Sequence, residues 1–97
     1  MKEIITLVEF KLNEGIDISE WKEMSSKANG IVGGIKGFQF RYSGVDNDGT
    51  VYCILKWDSA EDSSKFDDVL ATKPEIGKEF ERLCDMKTMK MKNINVI

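Results

Sequence analysis

Along residues 3–12, EIITLVEFKL, apolar side chains fall on both alternating sets. Ile4, Thr6, Val8 and Phe10 share one face; Ile5, Leu7, Glu9 and Lys11 share the other. A strand with one wet face carries polar residues at every second position, so this strand is predicted to be covered on both sides over its first half. Asn13-Glu14-Gly15 then turns the chain. Asp17 followed by Glu20 has capping-box spacing. Ile18, Trp21, Met24 or Ser25, and Ala28 recur on one helical face. Asn29-Gly30 and Gly33-Gly34 supply stop signals, which predict a helix ending near residue 29 with at most one more turn.

Residues 37–44, GFQFRYSG, read as a second strand, with Phe38, Phe40 and Tyr42 alternating onto a single apolar face. Asp48-Gly49 between two strand-like runs predicts a hairpin. It leads into residues 50–57, where Val51, Cys53, Leu55 and Trp57 alternate with Tyr52, Ile54 and Lys56. Ser59 and Asp62 mark the start of a second helix whose inward face is Phe66, Val69 and Leu70. Pro74 fits the first turn of a short third helix, with Ile76, Phe80, Leu83 and Cys84 on its apolar stripe. The last strand, about 88–97, places Met89, Met91, Asn93, Asn95 and Ile97 on one face and Lys90, Lys92, Ile94 and Val96 on the other.

This β-α-β-β-α-α-β order predicts one ferredoxin-like α+β domain over residues 1–97, an antiparallel sheet with helices on one face. The far face of the sheet is too apolar to remain wet. Burying roughly eight such side chains is worth on the order of 12–24 kcal/mol, and the chain has no second layer of its own to cover them. A second copy, sheet against sheet, is the expected partner.

Composition narrows the chemistry. With 41% hydrophobic and 32% charged residues, the chain has an ordinary globular make-up. The N-terminal MKEIITLVEF is interrupted by charges and reads as a strand rather than a signal peptide, and no apolar run is long enough to span a bilayer. No membrane association and a cytoplasmic location are the expectations. Histidine is absent, so His general acid/base catalysis and His metal ligation are excluded. Two cysteines, Cys53 and Cys84, are too few for a Cys-rich zinc site and lie in apolar segments, as reduced buried thiols do. Neither a metal nor a cofactor is expected.

One segment points elsewhere. Lys36-Gly37-Phe38-Gln39-Phe40-Arg41-Tyr42 has the alternating aromatics with which RNA-recognition domains stack bases. In those domains the signature lies on the third strand; here it lies on the second, and the first strand offers no matching aromatic. The net charge is −3 and the pI about 5.0, an unfavourable field for a polyanion. Nucleic acid is therefore not an expected partner.

LVEFKLNEGID, GGIKGFQFRY, DGTVYCILKWDSAEDSSKF, KPEIGKEFERLCD and MKMKNINVI together resemble the dimeric α/β-barrel superfamily. The likeness is nearest to small antibiotic-biosynthesis-monooxygenase-like proteins, and its most specific points are Gly37-Phe38, Asp48-Gly49 and Trp57-Asp58-Ser59. The resemblance implies a homodimer with a cavity between each sheet and its helices. It also implies either cofactor-free oxygenation of a small hydrophobic aromatic molecule or, in a non-catalytic relative, binding or a stress-response role. Haem-degrading relatives use a histidine ligand that this chain lacks, and Asn93 stands where related sequences often carry a histidine. On this basis Trp57 (orienting the ring) and Asn93 (stabilising an oxyanion) are the catalytic candidates. Val8, Phe40, Tyr42, Cys53, Leu55 and Met91 are the substrate-binding candidates. Arg41 ranks lower, because an arginine on an edge strand is normally solvated.

Overall fold

The computed structural model describes residues 2–97. Its elements follow the predicted order: β1 (Ile4–Leu12), α1 (Ile18–Val32), β2 (Phe38–Val45), β3 (Thr50–Trp57), α2 (Ala60–Ala71), α3 (Pro74–Leu83) and β4 (Cys84–Asn95). The four strands form one antiparallel sheet in the order β2-β3-β1-β4. The helices cover one face, and the fold is ferredoxin-like α+β. No helix among the described residues is long and apolar enough to cross a membrane.

Cap chemistry sets the helix starts. The Glu20 carboxylate accepts the Asp17 backbone N–H at 3.1 Å, and the Ser59 hydroxyl accepts the Asp62 N–H at 3.1 Å. These side chains satisfy donors that a helix start leaves open. Helix α1 runs past Asn29-Gly30, because Val32 is completely buried and anchors another turn, while Gly30 sits at an exposed position where its helix-weakening cost is tolerable. At the other end of the fold, Asn13 terminates α3. Its side-chain amide donates to the carbonyls of Glu81, Arg82 and Cys84 at 3.0, 3.0 and 3.1 Å, and its backbone N–H donates to Leu83 at 2.8 Å. Helix α3 therefore gives way to strand at Cys84, earlier than the expected start near residue 88.

Register across the sheet arranges the inward side chains in rows. One row is Phe38–Trp57–Ile4–Asn95, the next Arg41–Leu55–Thr6–Asn93, the next Ser43–Cys53–Val8–Met91. Two irregularities interrupt simple alternation. In β2, the step from Phe38 to Phe40 matches the single step from Trp57 to Lys56, a bulge that inserts Gln39. The Gln39 amide is pinned by the Glu3 and Asp58 carboxylates, the latter at 2.8 Å. In β4, the pairing jumps from Asp85 to Lys90 opposite Lys11 and Glu9.

The β2 bulge overturns one expectation. Phe38, Phe40 and Tyr42 do not share a face. Phe38 packs inward on Trp57, with ring centroids 5.5 Å apart. Phe40 and Tyr42 pair with Lys56 and Ile54 on the outer face, 5.3 Å from each other. An extra residue reverses the parity of everything after it.

The outer face keeps the apolar character read from the sequence: Tyr42, Tyr52, Ile54 and Ile94 are all exposed there, beside the half-buried Ile5 and Leu7.

Gly37 fixes the start of β2. Its φ is +87°, and a Cβ built there would lie 2.1 Å from Asp62 Oδ2. Gly49, with φ +82°, has nothing within 4 Å of such a Cβ. Gly49→Ala is expected to cost about 1 kcal/mol for the left-handed backbone alone. Gly37→Ala is expected to cost about 3 kcal/mol, since the carboxylate must also move. Urea denaturation of the two variants measures the difference; equal costs would mean that the Asp62 contact is unimportant.

Candidate functional site

The inward rows explain why a cavity exists. Two aromatic columns stand at its ends. Trp57 packs between Phe38 at 5.5 Å and Phe66 at 6.0 Å, and Trp21 packs between Phe10 at 4.9 Å and Phe80 at 5.9 Å. Between the columns, the middle rows carry the smaller side chains Thr6, Val8, Cys53 and Leu55. Opposite them the helices contribute small residues too: Ala28, Ser63 and Gly77. Sheet and helices thus cannot close on each other, and a cavity of about 390 Å³ remains. It is bordered on the β4 side by the exposed residues Met86, Met91 and Asn93.

Most of the residues singled out from the sequence line this space. Trp57, Asn93, Val8, Cys53, Leu55 and Met91 all contribute to its wall. Phe40 and Tyr42 do not, because the β2 bulge turns them to the opposite face of the sheet. Arg41 takes the inward place instead. Its Nη1 donates to Ser25 Oγ at 2.7 Å, Asn29 Oδ1 at 2.9 Å and the Ser25 carbonyl at 3.3 Å, so α1 holds the guanidinium across the β2 end of the cavity. Sequence alternation alone gave no signal for this, since it assigned Arg41 to the solvent side of an unbulged strand.

Polar groups on the wall are of mixed kind: Arg41, Thr6, Asn93 and Ser63, with the carboxylates of Asp67 and Glu81 at exposed helix positions. The Thr6 hydroxyl donates to Asn93 Oδ1 at 2.8 Å, engaging one lone pair of the amide oxygen, and the Asn93 NH₂ donates to no group among the described residues. Trp21 Nε1 donates to Ser43 Oγ at 3.0 Å. The indole of Trp57 is 1% exposed.

Cys53 lies beneath Arg41 Nη2, with Sγ at 3.7 Å, and 3.4 Å from Ser43 Oγ. Cys84 lies in the core outside the cavity lining, and no disulfide joins the two cysteines. Among the described residues, no cluster of three or more His, Cys, Asp or Glu side chains could hold a metal ion.

Burial, with a smaller effect from Cys53, pushes the Cys84 thiol up to about 12 from its ordinary 9.0. Cys84 is therefore a neutral core side chain at physiological pH and no nucleophile. Because the folded value is the higher one, the stability tied to this group is complete below pH 9 and is lost as pH rises towards 12. Cys84→Ala is expected to flatten that alkaline loss while lowering stability at pH 7, which thermal melts at pH 7 and at pH 10 measure. An unchanged alkaline slope would remove Cys84 as its source.

No family model and no curated protein matches the sequence. Solved structures do match its fold. SnoaB, a cofactor-independent oxygenase from Streptomyces nogalater, superimposes with a TM-score of 0.81 at 12% identity, over 100% of this chain and 95% of that one. A candidate antibiotic biosynthesis monooxygenase from Nitrosomonas europaea gives 0.82 at 9% identity, over 98% and 90% of the two chains. A dimeric ferredoxin-like protein of unknown function from Thermobifida fusca gives 0.72 at 9% identity, over 98% and 92%. The chain has the fold of the antibiotic-biosynthesis-monooxygenase-like proteins.

Proposed function

We propose that this protein binds a small hydrophobic aromatic molecule in the cavity between sheet and helices and oxygenates it without a cofactor. The observation that carries the reading is the cavity itself. It is walled by aromatic and aliphatic side chains, with the few polar groups a ligand site needs: Arg41, Asn93 and Thr6. The similarity in fold to SnoaB supports the same reaction class.

The chemistry asks little of the protein. An acidic phenol or anthrone loses a proton to give an enolate, which reacts with dioxygen directly. At a ring methylene, one oxygen atom becomes the new carbonyl and the other leaves as water with the two methylene hydrogens. An apolar cavity keeps bulk water from the reacting carbon, and donors aimed at the enolate oxygen stabilise its charge. In this reading the Asn93 NH₂ serves the oxyanion. Trp57, 1% exposed and wedged between Phe38 and Phe66, closes one end of the space and so fixes how far a ring can enter. Val8, Cys53, Leu55 and Met91 shape the rest of the space.

The working unit in this proposal is a homodimer. Tyr42, Tyr52, Ile54 and Ile94 lie exposed on the outer sheet face, and pairing this face with a second copy would bury them. Phe40 and Tyr42 then serve the interface rather than the ligand. The expected mass in light scattering is twice the 11.0 kDa of one chain; a monomer at micromolar concentration would contradict the dimer.

Titrating a panel of anthrones against tryptophan fluorescence, followed by oxygen-electrode assays, tests the function. Saturable quenching with oxygen uptake is expected, and Asn93→Ala should reduce turnover about 100-fold while lowering the melting temperature by only about 5 °C, the cost of leaving the Thr6 hydroxyl unpaired. Saturable binding with no oxygen uptake by any of the panel would favour a non-catalytic binding protein of the same fold. The chain's lack of histidine, the commonest general base, is the feature that favours this second reading.

A further inference from the structure

We infer that Arg41 makes the cavity selective for an apolar ligand that carries an ionised oxygen, such as a carboxylate or an acidic enol. The inference rests on the cavity being a ligand site, as proposed above, and adds the charge of what it holds.

Three observations carry it. First, the bulge at Gln39 turns Arg41 inward, onto the row Arg41–Leu55–Thr6–Asn93. Nothing in the packing demands a cation there, since the neighbours along that row are Leu55 and Thr6. Second, the guanidinium is held but not neutralised. Its Nη1 is committed to Ser25 and Asn29 on α1, whereas Nη2 meets only the weak acceptor Cys53 Sγ at 3.7 Å. No carboxylate among the described residues forms a salt bridge with it. Asp67 and Glu81 also line the cavity, but from exposed helix positions without pairing to Arg41. Third, the far end of the same row offers a donor as well, the Asn93 NH₂, which makes no hydrogen bond among the described residues while Thr6 holds the amide through Oδ1.

A half-buried cation with no counter-charge is an unfavourable arrangement unless something else supplies the charge. Immobilising it through α1 fixes its direction at no further entropic cost when a ligand arrives. Neighbouring strands lie about 4.8 Å apart, so Arg41 and Asn93 stand roughly 14 Å apart at their Cα atoms. A fused-ring molecule with an anionic oxygen at the Arg41 end matches this spacing, while its apolar body lies over Leu55 and Val8. The chain's net charge of −3 does not oppose this at close range, since charges on exposed side chains are screened over about 8 Å at physiological salt.

The test compares 2-naphthoate with its neutral analogue 2-naphthylmethanol, titrated by calorimetry into the full chain, into Arg41→Gln and into Arg41→Lys. The wild type is expected to bind the carboxylate about 10- to 100-fold more tightly than the alcohol. Arg41→Gln should bring the two probes level without weakening the alcohol. Arg41→Lys, which keeps the charge but loses the planar fork, should retain part of the preference. The preference in the wild type should also shrink as salt is raised from 50 to 500 mM. The wild-type comparison needs no variant, so equal affinities can overturn the proposal even if a substitution impairs folding. Equal affinities in the wild type would overturn the role of Arg41 while leaving the cavity as a ligand site. A preference that survives Arg41→Gln in a folded protein would place the anion elsewhere and overturn it too. Binding of neither probe would reject both the charge selectivity and the ligand site beneath it.

Discussion

A four-stranded sheet with helices on one side divides its residues between two environments, and the alternation of the strands decides which residue goes where. Everything distinctive about this protein follows from how that division is made. The inward set is Trp57, Leu55 and Cys53 from β3, with Ile4, Thr6, Val8 and Phe10 from β1. Since large aromatics occupy the two end rows and smaller side chains the middle ones, helices resting on the ends are held off the centre. The cavity is thus a result of side-chain size distribution along two strands, reinforced by Ala28 and Gly77 above them.

The same constraint gives the outer face its character. Ile5, Leu7, Tyr52 and Ile54 cannot be inward if their neighbours are, and Tyr52 and Ile54 stay exposed on the outer face. A helix-covered face with a hole in it and an uncovered face rich in apolar side chains are two aspects of one arrangement. The first suits a ligand and the second suits a partner surface.

Much of this was legible in the sequence, and the reasons are local. The capping residues Asp17 and Ser59, Pro74 and the Asp48-Gly49 turn act through short-range chemistry that spacing reveals, so element order and type could be read directly. The two-sided apolar pattern of residues 3–12 and 50–57 announced a sheet with two buried demands. Boundaries fared less well where tertiary contacts decided them. Val32 extended α1 beyond two glycine signals by burial, and Asn13, distant in sequence, fixed where α3 ends. For the candidate site, Trp57, Asn93, Val8, Cys53, Leu55 and Met91 were legible as sharing one face of their strands, though not as the face that lines the cavity, because those strands alternate without interruption there. Phe40, Tyr42 and Arg41 were not, because the bulge at Gln39 is stabilised by Glu3 and Asp58, two residues that alternation within one strand cannot consult.

That bulge behaves as a parity bit. Counting through β2 with Gln39 set aside as the extra residue gives an inward guanidinium and two outward rings; counting Gln39 as an ordinary ladder position gives two inward rings and an outward guanidinium. A change at Glu3 or Asp58 that let Gln39 take an ordinary ladder position would leave composition almost unaltered and every other strand in register. It would nonetheless exchange a charged cavity end for an aromatic one, and strip the outer surface of Phe40 and Tyr42 in the same stroke. In this small domain, absorbing a bulge into the ladder is a larger step than most changes of side chain, because it rewrites both faces of a strand at once.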